Sequence, residues 1–274
     1  MNSPSIINLV LLHGFGGSSE DWEAIQKFLS ENKRNNFSFR FFCPTLPGHQ
    51  RELSCTELKI KSFQEAATFY ENEILKNFQE PFYLCGYSMG GRLALQMLET
   101  DSLKFSSKVR GLILLSAGLG DDSPAERETR KKNDARWATM LRENPELFWK
   151  KWYELPLFKS LKDMALRAPQ SLAKWEKSRL GHEKMKLAET MEFFSPSQHG
   201  KLLKGLKKQA KLLYLAGEKD QKYLEISEKI AKELPLASVE RISGVGHVLP
   251  LEAPEICAEK ILSWIEKCEE KYGK

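Results

Sequence analysis

The sequence predicts an α/β fold, a mostly parallel sheet flanked by helices and interrupted by one helical insertion, and three features carry that reading. Short apolar runs alternate with helix-like runs over residues 1–118 and again over 206–274, the pattern of a sheet covered on both faces. The alternation stops between 119 and 205, where Arg, Lys, Trp and Leu dominate and prolines recur at Pro124, Pro145, Pro156, Pro169 and Pro196. Finally, Gly86-Tyr87-Ser88-Met89-Gly90 sits between an apolar run and a helix-like run. A serine on such a strand-to-helix turn can be held exposed only if its neighbours are small.

In chain order, Ile7–Leu12 reads as the first strand, and Ser19–Ser30 as a helix opened by a Ser-Ser-Glu-Asp start. Phe37–Cys43 reads as a second strand and Ser62–Phe78 as an amphipathic helix. A strand at Phe82–Cys85, its helix through Arg92–Leu98 and a strand at Gly111–Ser116 complete the first part. After the insertion come a strand at Lys211–Ala216, a helix around Tyr223–Glu233, a strand at Ser238–Ser243 and a last helix at Pro254–Glu270. The core is therefore expected over 1–118 and 206–274, with 119–205 forming a helical cap.

Composition narrows the function classes. Hydrophobic content of 41% and charged content of 29% suit a globular protein. The Ile6–Leu12 run is too short to span a bilayer and lacks a basic flank or cleavage site, so no membrane role is expected. Five unclustered cysteines point to neither a zinc site nor a disulfide framework, and a cytoplasmic location is expected. The net charge of +5 lies entirely in residues 119–205, which hold 18 Lys and Arg against 13 Asp and Glu. Such an excess attracts a small anionic ligand. No aromatic-basic motif or basic recognition helix suggests a nucleic-acid partner. A monomer or small homo-oligomer is expected.

A serine hydroxyl is a poor nucleophile or base unless a histidine takes its proton and a carboxylate orients that histidine. Ser88 precedes two loops at strand ends, Gly217-Glu218-Lys219-Asp220 and Gly244-Val245-Gly246-His247, in the order serine, acid, histidine. His13 and His49 come before Ser88, and His182 and His199 fall in the insertion, so His247 is the expected base. Asp220 is the expected acid, with Glu218 as the alternative. Two backbone N–H groups should form an oxyanion hole, that of Met89 after the serine and that of Phe15 in His13-Gly14-Phe15-Gly16-Gly17.

The motifs Leu12-His13-Gly14-Phe15-Gly16-Gly17, Leu46-Pro47-Gly48-His49, Gly86–Arg92 and Gly246-His247 resemble the α/β-hydrolase superfamily over nearly the whole chain. More narrowly, Gly-Tyr-Ser-Met-Gly-Gly-Arg, Glu126–Asp134, Trp152–Phe158 and Gly217–Tyr223 resemble 2-succinyl-6-hydroxy-2,4-cyclohexadiene-1-carboxylate synthase of menaquinone biosynthesis. That resemblance implies a lyase that eliminates pyruvate from a succinyl, enolpyruvyl-bearing cyclohexene carboxylate with no cofactor and no metal. It implies Ser88, Asp220 and His247 as the triad, with substrate contacts from Tyr87, Arg92, Arg130, Trp152 and Arg179. The chain departs from the family's pattern at Gln50–Ser54 and around Ser178-Arg179.

An arginine one helical turn beyond Ser88 agrees with a carboxylate-bearing substrate, since Arg92 can face the same cavity as the serine and grip a carboxylate bidentately. Two other readings stay open. One is a serine-triad hydrolase, a carboxylesterase or C–C bond hydrolase. The other is a non-catalytic ligand-binding member of the fold.

Overall fold

The computed structural model describes residues 4–32, 36–50, 52–100, 102–120, 123–202, 206–207 and 211–270. Its strands are β1 (Ser5–Leu12), β2 (Phe37–Phe42), β3 (Phe82–Tyr87), β4 (Val109–Leu115), β5 (Leu212–Gly217) and β6 (Ser238–Ile242). They make one sheet in the order β2-β1-β3-β4-β5-β6, with every neighbouring pair parallel. The order reverses direction beside β1 and β3, which brings their C-terminal ends together at a topological switch point.

Alternate residues of each strand serve opposite layers. Val10 and Leu12 pack with Leu84, Leu112 and Tyr214 against α2 (Phe63–Asn77) and α3 (Met89–Glu99). Leu9 and Leu11 pack with Tyr83, Cys85, Ile113 and Leu213 against α1 (Glu23–Glu31) and a C-terminal helix, Pro254–Glu270. The central β3 is buried throughout, as an interior parallel strand must be, whereas the edge strand β2 is half-exposed.

Boundaries moved where capping chemistry intervened. The expected helix at Ser19–Ser30 begins as a 3₁₀ turn, Ser19–Trp22, because the Ser18 hydroxyl accepts the Glu20 N–H and sets a separate start. Ser62 is the cap of α2 rather than its first residue, its hydroxyl accepting the Glu65 N–H. β3 runs two residues beyond Cys85, since Gly86 and Tyr87 still pair with Leu114 and Leu115 of β4. A short helix α4 (Leu103–Ser106) before β4 was not visible in the apolar pattern.

Between β4 and β5 the described chain is helical: α5 (Pro124–Glu143), α6 (Pro145–Tyr153), α7 (Leu161–Arg167), α8 (Pro169–Leu180) and α9 (Lys184–Phe193). Prolines at the first turns of α5, α6 and α8 punctuate it. Ala138, Leu141, Phe148, Trp149, Leu187, Ala188 and Met191 form a small core of its own. Arg142 and Glu192 tie α5 to α9 through a two-pronged ion pair of 3.0 and 2.7 Å. The expected end of the insertion at residue 205 lies outside the described residues. Beyond β5 come α10 (Gln221–Glu233), α11 (Leu249–Glu252) and α12 (Pro254–Glu270). No helix among the described residues is long and apolar enough to cross a membrane.

Candidate active site

Ser88 stands between the last residue of β3 and the first of α3 with φ +50°, a left-handed backbone that non-glycine residues rarely take. Such strain persists only where the surroundings enforce it. Here the turn is so tight that a Cβ on Gly86 would lie 2.5 Å from the Gly90 carbonyl oxygen, and one on Gly90 would lie 2.2 Å from that of Leu12. The small residues flanking the serine are therefore a steric necessity. The turn also puts Ser88 at the N-terminal end of α3, where the helix dipole favours developing negative charge.

The loops after β5 and β6 bring two more groups to this point. The Ser88 Oγ lies 3.0 Å from His247 Nε2, and His247 Nδ1 lies 2.7 Å from Asp220 Oδ2. His247 and Asp220 are both buried. Glu218 is turned away and accepts the Gly244 N–H at 2.9 Å, so of the two candidate acids Asp220 reaches the histidine. The Tyr223 ring lies 4.6 Å from the imidazole and the Tyr87 ring 5.4 Å. Burial and then the Asp220 charge raise the Tyr223 hydroxyl above its ordinary pKa, which keeps it neutral.

One residue that sequence reading missed anchors the histidine loop. The Glu252 carboxylate accepts the N–H of Gly246 (2.9 Å) and of Val248 (3.0 Å), the two residues on either side of His247. Two opposed charge-assisted bonds fix the loop's path and with it the imidazole. The pattern of a glutamate five residues after a histidine was the available signal.

Among the described residues, neither the Phe15 nor the Met89 N–H donates to a protein acceptor. The Phe15 loop is held in turn by histidines. His13 Nδ1–H donates to the Gly14 carbonyl at 2.8 Å while its Nε2 accepts the Leu46 N–H. His49 Nε2 accepts the Gly16 N–H at 3.0 Å. Burial lowers the pKa of His13 to about 4 and that of His49 well below its ordinary value, so both are neutral near pH 7.

Ser88 opens into a cavity of about 520 Å3 also lined by Phe15, Met89, Arg92, Arg130 and Trp152. Arg92 is buried; one of its Nη groups donates to the Phe194 carbonyl at 2.6 Å and the other to His199 Nε2 at 3.0 Å. Both acceptors are neutral, because burial and the Arg92 charge hold His199 at a pKa of about 4. Burial and the Arg130 charge lower the Arg92 pKa to about 10, leaving it a cation at neutral pH. Arg130 is half-exposed and paired through Nε with buried Asp134 at 2.8 Å, and Asp134 also accepts the Ser195 hydroxyl at 2.6 Å. The Trp152 ring lies 5.6 Å from that of Phe15.

Tyr87 and Arg179 line an adjoining pocket. It is a small chamber of about 50 Å3 that shares Ser88, Phe15 and Trp152 with the larger cavity and is also lined by Trp175 and His247. The Arg179 guanidinium is committed to Asp21 through bonds of 2.8 and 2.7 Å and lies 4.0 Å from the Trp175 ring. It thus lines the chamber beside Ser88 as a buried cation already paired with a carboxylate. That ion pair spans 158 residues, which no local pattern announces. Among the described residues, no group of His, Cys, Asp or Glu side chains is gathered as a metal site would require.

The model of the alpha/beta hydrolase family matches residues 9–260. A protein of Haemophilus influenzae named as a putative 2-succinyl-6-hydroxy-2,4-cyclohexadiene-1-carboxylate synthase is 29% identical over 96% of this chain and 98% of its own length. The synthase of that name from Klebsiella pneumoniae is 26% identical over 87% of this chain and 86% of its own. The structure described as MenH from S. aureus superposes with a TM-score of 0.84 at 26% identity, covering 96% of this chain and 94% of that one.

Proposed function

We propose for this chain, which belongs to the alpha/beta hydrolase family, the activity of its synthase relatives. It eliminates pyruvate from 2-succinyl-5-enolpyruvyl-6-hydroxy-3-cyclohexene-1-carboxylate to give 2-succinyl-6-hydroxy-2,4-cyclohexadiene-1-carboxylate, a step of menaquinone biosynthesis. The observation that carries this reading is Arg92, a buried cation whose protein acceptors are both neutral, lining the same cavity as Ser88. Such a group retains its full charge for a carboxylate, which a site for neutral esters has no use for.

The chemistry follows from the relay. His247, oriented by Asp220, takes the Ser88 proton, and the resulting alkoxide removes a proton from the carbon beside the succinyl carbonyl. The electron pair moves onto the carbonyl oxygen, where the Phe15 and Met89 N–H groups and the start of α3 stabilise the enolate. Collapse of the enolate expels the enolpyruvyl oxygen, which leaves as pyruvate after protonation, and the ring gains a double bond. Arg92 and Arg130 hold the carboxylates, while Trp152 and Phe15 cover the ring. General-base catalysis supplies about 10²–10⁴-fold, and each oxyanion donor about 10²–10³-fold.

The direct test measures pyruvate release from the enolpyruvyl substrate by the protein and by Ser88→Ala. A loss of about 10³-fold or more is expected; near-equal rates overturn the reading. The same relay could serve an acyl-serine hydrolase. That alternative predicts a burst of p-nitrophenol from p-nitrophenyl acetate, which elimination does not.

A further inference from the structure

Three histidines outside the triad form an edge-to-face row, His13 to His49 at 4.7 Å and His49 to His182 at 5.4 Å between ring centres. His13 and His49 belong to the loops they hold. His182 does not: it comes from the connection between α8 and α9, in the helical insertion. Its Nε2–H donates to the Gly16 carbonyl at 2.7 Å, and its Nδ1 accepts the Gln50 N–H at 2.6 Å. Donating at one nitrogen and accepting at the other requires a neutral imidazole, and burial, lowering the His182 pKa to about 4, keeps it so.

Both backbone groups that His182 grips belong to left-handed residues, Gly16 at φ +71° and Gln50 at φ +50°. Glycine takes that conformation freely, but at Gln50 it is strained and must be held from outside. The bond to Gly16 also has a continuation. In the planar Gly16–Gly17 peptide the carbonyl and the N–H point oppositely. Fixing the Gly16 oxygen therefore aims the Gly17 N–H, which donates to the Gly14 carbonyl at 3.0 Å. That carbonyl belongs to the Gly14–Phe15 peptide, whose N–H is the Phe15 donor. Bonds linked in series polarise one another as well as fixing direction.

We propose that His182 is a positioning residue: from the helical insertion it sets the direction of the Phe15 N–H through two peptide planes in series. His13 Nδ1–H holds the same Gly14 carbonyl directly at 2.8 Å, so docking of the α8–α9 connection supplies the second of two holds on the oxyanion donor. This rests on the role given above to the Phe15 N–H.

The test uses His182→Gln, His182→Asn and His182→Ala. A glutamine amide reaches where Nε2–H stands and keeps the bond to Gly16, whereas an asparagine oxygen stands in for Nδ1 and keeps only that to Gln50. Two rates are read, pyruvate release and inactivation of Ser88 by diisopropyl fluorophosphate, which needs the oxyanion donors but not the substrate. In the asparagine and alanine variants both rates should fall about tenfold, less than the ~10²–10³ of a lost donor, with KM within about twofold. The glutamine variant should stay within about threefold of the parent. Equal rates in all variants, or equal losses for glutamine and asparagine, overturn the proposal. A parent that releases no pyruvate while its inactivation rates follow this order refutes the proposed reaction and leaves His182 its role.

Discussion

Arg92 is gripped by a histidine that cannot neutralise it, its Nη–H donating to His199 Nε2 over 3.0 Å. With the Phe194 carbonyl as the second acceptor, the guanidinium is aimed without being paired to a carboxylate among the described residues. The site thus separates orientation from charge compensation, as the proposed carboxylate-bearing substrate requires.

That separation makes Arg92→Lys a severe change. Lysine keeps the charge but offers one compact ammonium, which cannot bond the Phe194 carbonyl, the His199 nitrogen and a substrate carboxylate in one plane. A fall of about 10²-fold in kcat/KM for pyruvate release is expected, together with a lower melting temperature, since a buried acceptor left without its donor costs about 1–3 kcal/mol. A lysine variant within about threefold of the parent would show that Arg92 holds no substrate group.

Asp220 and Glu218 differ in reach, and their variants should differ accordingly. Asp220→Asn leaves the shape intact but presents an amide to His247 Nδ1, favouring the wrong tautomer, and a kcat loss of about 10²–10⁴-fold is expected. Glu218→Gln touches only the exposed bond to Gly244 and should cost less than about threefold. Steady-state kinetics of the pair decide the matter, and a larger loss in the Glu218 variant would reverse the assignment.

Much of this site was legible because its parts are local. Gly86, Ser88 and Gly90 must be close in sequence to make one turn, and Asp220 and His247 sit at strand ends that alternation reveals. What stayed hidden was the partner of each charged or polar group across the chain. The resemblance implied Arg179 as a substrate contact, and that its guanidinium also pairs with Asp21, 158 residues away, was not visible. His182 and His199 were set aside as bases because they fall in the insertion, which was sound reasoning about the triad and blind to their use as neutral bridges. The end of β3 was misjudged for a different reason: Gly86 weakens a strand by propensity, yet pairing with β4 carries the strand through it.

Glu252 supplies a test of how firmly His247 must be held. In Glu252→Gln one of the two oxygens becomes an NH2 facing a backbone N–H, so either Gly246 or Val248 loses its acceptor. The unsatisfied buried donor costs about 1–3 kcal/mol, read as a lower urea midpoint. If the loop positions the imidazole, kcat should also fall about tenfold with KM little changed. A loss of stability with undiminished kcat would confine Glu252 to a structural part.

The histidines also dictate how stability depends on pH. His13, His182 and His199 are held at about 4 and His49 well below its ordinary 6.5, in each case chiefly by burial. Around His13 the Asp21 charge opposes that shift, while Arg179 and His182 reinforce it. A group whose folded pKa is depressed favours the folded state above its unfolded pKa, and that advantage is lost as pH falls toward the folded value. The window therefore opens near 6.5 and extends down toward 4, with the unfolded chain binding up to four more protons than the folded one. Each such proton contributes a slope of up to about 1.4 kcal/mol per pH unit once the window is entered. Glu71, whose carboxyl is raised by burial, works in the opposite direction and offsets part of the histidine effect toward the acid end of the interval. Urea midpoints measured at pH 7.5, 6.5 and 5.5 should drop more steeply over the second interval than the first. His199→Gln, which removes one of the four protons, should flatten that drop, and a midpoint constant across the range would mean that the imidazoles are free to titrate in the folded protein.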